Sequence, residues 1–105
     1  MDERQKAINT IGMIVKSNNF IYGERLLENL DKVFLIIVAS DISLNSLKRI
    51  KNKANNNNTE VSVLNINSKE LEFISKVKNI KAMGITNNEL KKLLDKNISF
   101  LINLE

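Results

Sequence analysis

Val33-Phe34-Leu35-Ile36-Ile37-Val38-Ala39, followed by Ser40-Asp41, settles the fold class of this chain. Seven apolar residues in a row, rich in β-branched types and flanked by charge, suit a strand buried on both faces better than a helix turned half to water. Such a strand needs helices above and below it, and the segments on either side have helical spacing. The sequence therefore predicts a small α/β domain with residues 33–39 as its central strand, Ile36 and Val38 on one face, Leu35 and Ile37 on the other.

Toward the N-terminus, Asp2 and Gln5 stand three apart, an N-terminal cap with a polar residue reaching back. Ala7, Ile8, Ile11, Ile14 and Val15 then recur at steps of three and four, one face of a first helix. Lys16-Ser17-Asn18-Asn19 ends it, and Phe20-Ile21-Tyr22 leads to Gly23, which can take backbone angles that other residues avoid. Leu26, Leu27 and Leu30 give a short second helix its apolar stripe.

After the central strand, Asp41 or Ser43 caps a third helix in which Leu44, Leu47, Ile50 and Ala54 line one face. Lys48, Arg49, Lys51 and Lys53 occupy the other; a phosphate-binding ridge is one reading, the polar outer face of a helix backed onto a sheet the other. The polar turn of residues 55–58 precedes an alternating segment, residues 59–66, read as a second buried strand with Val61 and Val63 opposite Leu64 and Ile66. Ser68 is the expected cap of a short fourth helix, with Leu71, Phe73, Ile74 and Val77 facing inward. A third strand, residues 80–85, is interrupted by Lys81 and Gly84. Thr86 and Glu89 form a capping box for a last helix carrying Leu90, Leu93 and Leu94. Beyond it Ile98, Phe100, Ile102 and Leu104 alternate, so residues 97–105 are expected to add an edge strand or to pair with a second copy of the chain.

The 105 residues fit a single domain, and no repeat or linker divides them. Apolar residues at 43% and charged residues at 27% are those of an ordinary globular protein. No 18-residue apolar stretch is present, and the N-terminus lacks the apolar core of a secretion signal, so the cytoplasm is the expected location. Lys and Arg number 16 against 12 Asp and Glu, a net +4 that mildly favours polyanionic partners, nucleic acid first.

The chain has neither Cys nor His, which removes disulfides and the usual zinc and transition-metal ligand sets. Acid-base or nucleophilic work would fall to Asp, Glu, Lys, Ser or Tyr, and no pair of these forms a recognisable motif. Gly12, Gly23 and Gly84 are too far apart for a phosphate-cradling loop. Asp41 lies where an α/β enzyme places a carboxylate, but helix capping explains it equally well, and one carboxylate without partners is not a site. No enzyme activity and no cofactor are expected.

Ile11-Gly12-Met13-Ile14-Val15-Lys16, Ile21-Tyr22-Gly23-Glu24-Arg25-Leu26 and Leu35-Ile36-Ile37-Val38-Ala39-Ser40-Asp41, with Asn65-Ile66-Asn67-Ser68-Lys69-Glu70-Leu71 and Ala82-Met83-Gly84-Ile85-Thr86, together resemble the YlxQ-like branch of the kink-turn RNA-binding ribosomal protein superfamily. The resemblance spans residues 7–95 and rests on order and spacing. It implies a three-layer αβα sandwich with a mixed sheet of about four strands, and a partner that is sharply bent RNA, ribosomal or otherwise tied to translation, rather than DNA or a membrane. The implied RNA face joins the start of the second helix to the loop after the fourth, with Lys16, Gly23, Glu24, Arg25, Asn29, Lys32, Lys69, Lys76, Val77, Lys78 and Asn79 as candidate contacts. Archaeal and eukaryotic members carry a Gly-x-Asn-Glu-x-x-Lys segment; here Arg25, Leu26 and Asn29 stand at its Asn, Glu and Lys positions, while Gly23-Glu24-Arg25-Leu26 fits the Gly-Glu-x-Leu of the YlxQ-like branch. Glycines usual in and after the fourth helix are replaced by Glu72, Phe73 and Lys76. Val77 either packs a bulged base, as apolar residues there do in the family, or completes the inner face of the fourth helix. The alternative function, from another class, is a protein-interaction module on the same fold that has lost RNA binding.

Overall fold

The computed structural model describes residues 2–102. Helix α1 (Glu3–Lys16) starts at Asp2, whose extended backbone lets its carboxylate accept the Gln5 N–H at 2.7 Å. The Gln5 side chain turns to Asn9 at 3.0 Å instead of reaching back, so the cap is single. Strand β1 (Phe20–Ile21), helix α2 (Glu24–Glu28), a 3-10 turn (Leu30–Lys32) and strand β2 (Leu35–Val38) follow. Then come α3 (Leu44–Asn56), β3 (Val61–Val63), α4 (Ser68–Ser75), β4 (Ala82–Ile85), α5 (Asn88–Asp95) and a second 3-10 turn (Ile98–Leu101).

The four strands make one mixed sheet in the order β1-β4-β2-β3. β2 runs parallel to β3, with Ile37 opposite Ser62, and antiparallel to β4, with Ile36 opposite Gly84. The apolar run is thus an interior strand, trimmed to four wholly buried residues; Phe34 at its start is 44% exposed. Its side chains alternate as expected. Leu35 and Ile37 pack with Ala7, Ile11, Ile14, Leu71, Leu94 and Leu101 beneath α1, α4 and α5. Ile36 and Val38 pack with Leu26, Leu30, Ile50 and Ala54 beneath α2 and α3. This is the three-layer αβα sandwich around a mixed sheet of four strands.

β4, whose sequence pattern is interrupted, is the second interior strand and is buried throughout. Gly84 explains the interruption: a Cβ built there would lie 2.3 Å from Leu26 Cδ1 and 3.0 Å from Val33 Cγ2, so the missing side chain is what lets α2 press onto the sheet. β1 pairs with β4 through Phe20 and Ile21, a strand too short to show alternation in sequence.

Several local expectations are corrected. Asn67 and Asn87 cap α4 and α5, accepting from Glu70 N–H at 2.9 Å and Leu90 N–H at 3.0 Å, where Ser68 and Thr86 were expected. Of the two caps expected for α3, Asp41 or Ser43, Ser43 is the one used, its hydroxyl accepting the Ser46 N–H. Leu44 and Phe73 are 79% and 76% exposed rather than turned inward. β3 keeps three half-buried residues, while Leu64 and Ile66, fully buried, lie beyond its end. Residues 98–101 form a 3-10 turn and not a strand, because Ile98 and Leu101, three apart, both turn to the core beside α1. Among the described residues the strand-like part of the tail is one antiparallel bridge, Leu64 to Ile102, joined by an Asn65 N–H donated to the Leu101 carbonyl. Leu104 lies outside the described residues.

Candidate nucleic-acid interface

Gly23 joins β1 to α2 with φ 67° and ψ −149°, a backbone region that is essentially glycine's own. The chain turns sharply there and sets Glu24 and Arg25 on the first turn of α2, both exposed. Glu24 does not stand free: Arg49 of α3 donates Nη1 and Nη2 to its two oxygens at 3.1 and 3.0 Å. That paired hydrogen bond, with the guanidinium charge behind it, holds the Glu24 carboxyl below the usual glutamate range and raises Arg49 in turn.

The loop after α4 is shaped without glycine. Lys76 ends the helix in the left-handed region (φ 64°), and Asn79 repeats that conformation (φ 60°). Glu72 accepts the Asn79 N–H at 2.9 Å, and Ser75 Oγ accepts the Val77 N–H at 3.2 Å, so the two ends of the loop are tied back to the helix that precedes it. Val77, half-buried, packs against the core cluster under α1.

The tip of α2 and this loop, more than fifty positions apart in sequence, meet. A groove of about 350 Å³ is lined by Tyr22, Gly23 and Glu24 on one side and by residues 78–82 on the other, with Ser46 and Arg49 from α3. Leu26, Ile50, Ile80 and Ala82, all buried, form an apolar floor; Lys78 and Lys81 put cations on the rim, where the charge of Arg49 is matched by Glu24. Arg25, Asn29 and Lys32 line a second hollow of about 440 Å³ beside it, with Asn18, Phe20, Ile21 and Thr86. The Asn29 amide donates to the Arg25 carbonyl at 2.8 Å. Gly23, Glu24, Lys78 and Asn79 are thus brought together, Arg25, Asn29 and Lys32 form a neighbouring group, and Lys16, Lys69 and Lys76 line neither hollow.

Beside the groove, Asp41 accepts the Ser68 N–H at 2.8 Å and the Ser68 hydroxyl at 2.7 Å, while Lys81 Nζ donates to the same hydroxyl oxygen at 3.1 Å. The Ser68 hydroxyl bond chiefly holds the Asp41 carboxyl below the ordinary aspartate range, with the Ser68 N–H and the Lys81 charge adding to it against desolvation. Asp41 is therefore neither the cap of α3 nor an isolated carboxylate: it clamps the start of α4 to the loop after β2. Ser68 is 6% exposed and its proton is committed to Asp41, so its hydroxyl is a structural link. Among the described residues no three carboxylates gather closely enough to hold a metal ion.

Sequence reasoning missed Tyr22, Arg49 and Lys81 as groove residues. Arg49 sat in plain view among the cations of the third helix, but its partner Glu24 is 25 residues away, and no local spacing signals that pair.

No family model matches the chain, and no curated protein matches it by sequence. Among solved structures, its fold is similar to that of a protein of unknown function from Bacillus halodurans, with a TM-score of 0.71 and 20% identity, covering 86% of this chain and 97% of the other. It is also similar to the 15.5kD RNA binding protein of Giardia lamblia, with a TM-score of 0.69 and 14% identity, covering 96% of this chain and 88% of that one. At these identities the likeness is one of fold.

Proposed function

We propose that this chain binds structured RNA, without catalysis, through the groove between the tip of α2 and the loop after α4. The observation that carries the reading is the meeting of two remote segments, residues 22–24 and 78–82, around an apolar floor with a cationic rim. Base and backbone of an irregular RNA call for that combination: an apolar recess for an unstacked base and cations for the phosphates on either side. The Giardia protein of similar fold is itself named an RNA binding protein, which supports the same class.

The finer reading is a sharply bent, kink-turn-like RNA, ribosomal or otherwise tied to translation, met in the cytoplasm. How the RNA is read follows from the side chains at the tip. Leu26 is buried against the space above Gly84, and the Asn29 amide is engaged with the Arg25 carbonyl. Leu26 offers a base edge no polar group and Asn29 has one amide N–H already committed, so selection comes chiefly from shape, with phosphate contacts by Arg25, Lys32 and Lys78 fixing the position.

The test is a charge reversal at two exposed positions, Arg25→Glu with Lys78→Glu. Binding to a kink-turn RNA is expected to fall steeply, and the slope of log affinity against log salt to flatten by about one for each phosphate that the protein no longer neutralises. A straight duplex of equal length is the comparison. Equal affinity of the parent chain for both RNAs, or no change on charge reversal, refutes the reading and leaves a protein-interaction module on this fold as the better account.

A further inference from the structure

Helix α4 carries a feature that the groove does not use. Lys69 and Phe73 stand four apart on one face, away from the Leu71 and Ser75 that face the core, and Lys76, the left-handed residue that ends the helix, turns back to the same side. Phe73 is 76% exposed, and Lys76 Nζ stands 4.7 Å from the centre of its ring. The carboxylates of the same helix are engaged elsewhere, Glu70 with Arg4 at 3.8 Å and Glu72 with the Asn79 N–H. Among the described residues Lys69, Lys76 and Lys78 pair with no acid. A lone exposed apolar residue needs no explanation, and Leu44, aliphatic, needs none. An exposed aromatic ring between cations that no acid neutralises is different, because it presents a π surface and two positive charges in the arrangement that single-stranded nucleic acid takes up by stacking one base and neutralising the phosphates beside it.

We propose that the outer face of α4 is a second RNA contact, in which the open face of Phe73 stacks on an unpaired nucleobase while Lys69 and Lys76 meet the phosphates flanking it. This rests on the RNA-binding reading and extends it. The groove takes the bend, and α4, leading directly into the loop that lines the groove, takes an unpaired stretch running off one arm of the bend. Stacking is indifferent to base identity, since every base has a π face.

Two RNAs separate this proposal from the reading beneath it: one bent RNA with an unpaired single-stranded extension, and the same bend trimmed to blunt paired ends. Phe73→Ala is expected to weaken binding of the extended RNA by about ten-fold and to leave the blunt one unchanged. Phe73→Trp is expected to restore binding, and because the chain has no other tryptophan, its fluorescence reports position 73 alone and should be quenched by the extended RNA but not by the blunt one. If the parent chain binds both RNAs and Phe73→Ala binds them as the parent does, the stacking contact is refuted and the groove reading stands. Equal losses on both RNAs, or fluorescence of the Phe73→Trp variant that ignores the extension, also overturn it. If the parent binds neither RNA, the groove reading fails and takes this proposal with it.

Discussion

Replacing Gly84 by Ala puts a methyl group where α2 lies against the sheet. The new Cβ would stand 2.3 Å from Leu26 Cδ1 and 3.0 and 3.2 Å from the two Val33 methyls. To reach an ordinary carbon contact of about 3.5 Å, Leu26 must retreat by roughly 1.2 Å. That means giving up packing against Leu30, Ile36 and Ile50 and moving toward the groove it floors, while the Val33 methyls crowd the new Cβ from the other side. In an uncrowded strand a Gly→Ala change gains about 0.4 to 1 kcal/mol by restricting the unfolded chain. Overpacking a core costs about 1 to 3 kcal/mol. The second effect wins here, for a net loss of about 1 to 2 kcal/mol, or roughly 4 to 10 °C in melting midpoint for a domain of this size. Leu26→Ala alone should cost about 2 to 5 kcal/mol through the cavity it leaves. In the double variant the methyl at position 84 faces that cavity instead of a side chain, so the two losses should fall short of their sum by about 1 kcal/mol or more. Urea unfolding followed by circular dichroism measures all four proteins. If Gly84→Ala is as stable as the parent, or if the double variant is simply additive, the account of why β4 holds a glycine is wrong.

Asp41→Asn should lower stability at neutral pH. Because the folded-state carboxyl sits below its ordinary value near 3.8, its contribution is present above that pH and is lost as pH falls through the lower folded-state value, so the melting midpoints of parent and variant should converge in acid; a gap that stays constant down to acid pH would remove Asp41 as the source. Leu101→Ala should cost about 2 to 5 kcal/mol, the usual result for a wholly buried leucine, and an unchanged denaturation midpoint would mean that the tail contributes nothing to the core.

What the sequence made legible follows a physical line. β2 could be read because burial on both faces leaves an unbroken apolar run, and α1 because its apolar residues, from Ala7 to Val15, keep helical spacing over more than two turns. β4 read poorly for the reason given by Gly84: a glycine forced by tertiary crowding looks, from sequence, like a break in a strand. The caps went to the neighbouring residue for a related reason. Asn67 and Ser68 are both competent N-caps, as are Thr86 and Asn87, and the choice between them is made by partners far away: Asp41 claims Ser68, and the Thr86 N–H is donated to the Asn19 carbonyl in line with the β1–β4 pairing. At the candidate site, Gly23 was legible because its conformation is local. The Glu24–Arg49 pair was not, since it exists only once α2 and α3 are packed side by side.

The bridge between Leu64 and Ile102 bears on how the molecule behaves in a crowd. β3 is an outer strand of the sheet, and an outer strand's unpaired N–H and C=O groups are a template for any other extended chain, including another copy of the same one. Just past β3, the Leu64 N–H is donated inward to the Val38 carbonyl, and the Asn65 N–H, which would offer such a group, is already taken by the Leu101 carbonyl, with Ile102 bridged to Leu64. The tail thus acts as a guard on the sheet's margin, and its loosening would show first as concentration-dependent association of otherwise folded molecules, before any loss of secondary structure.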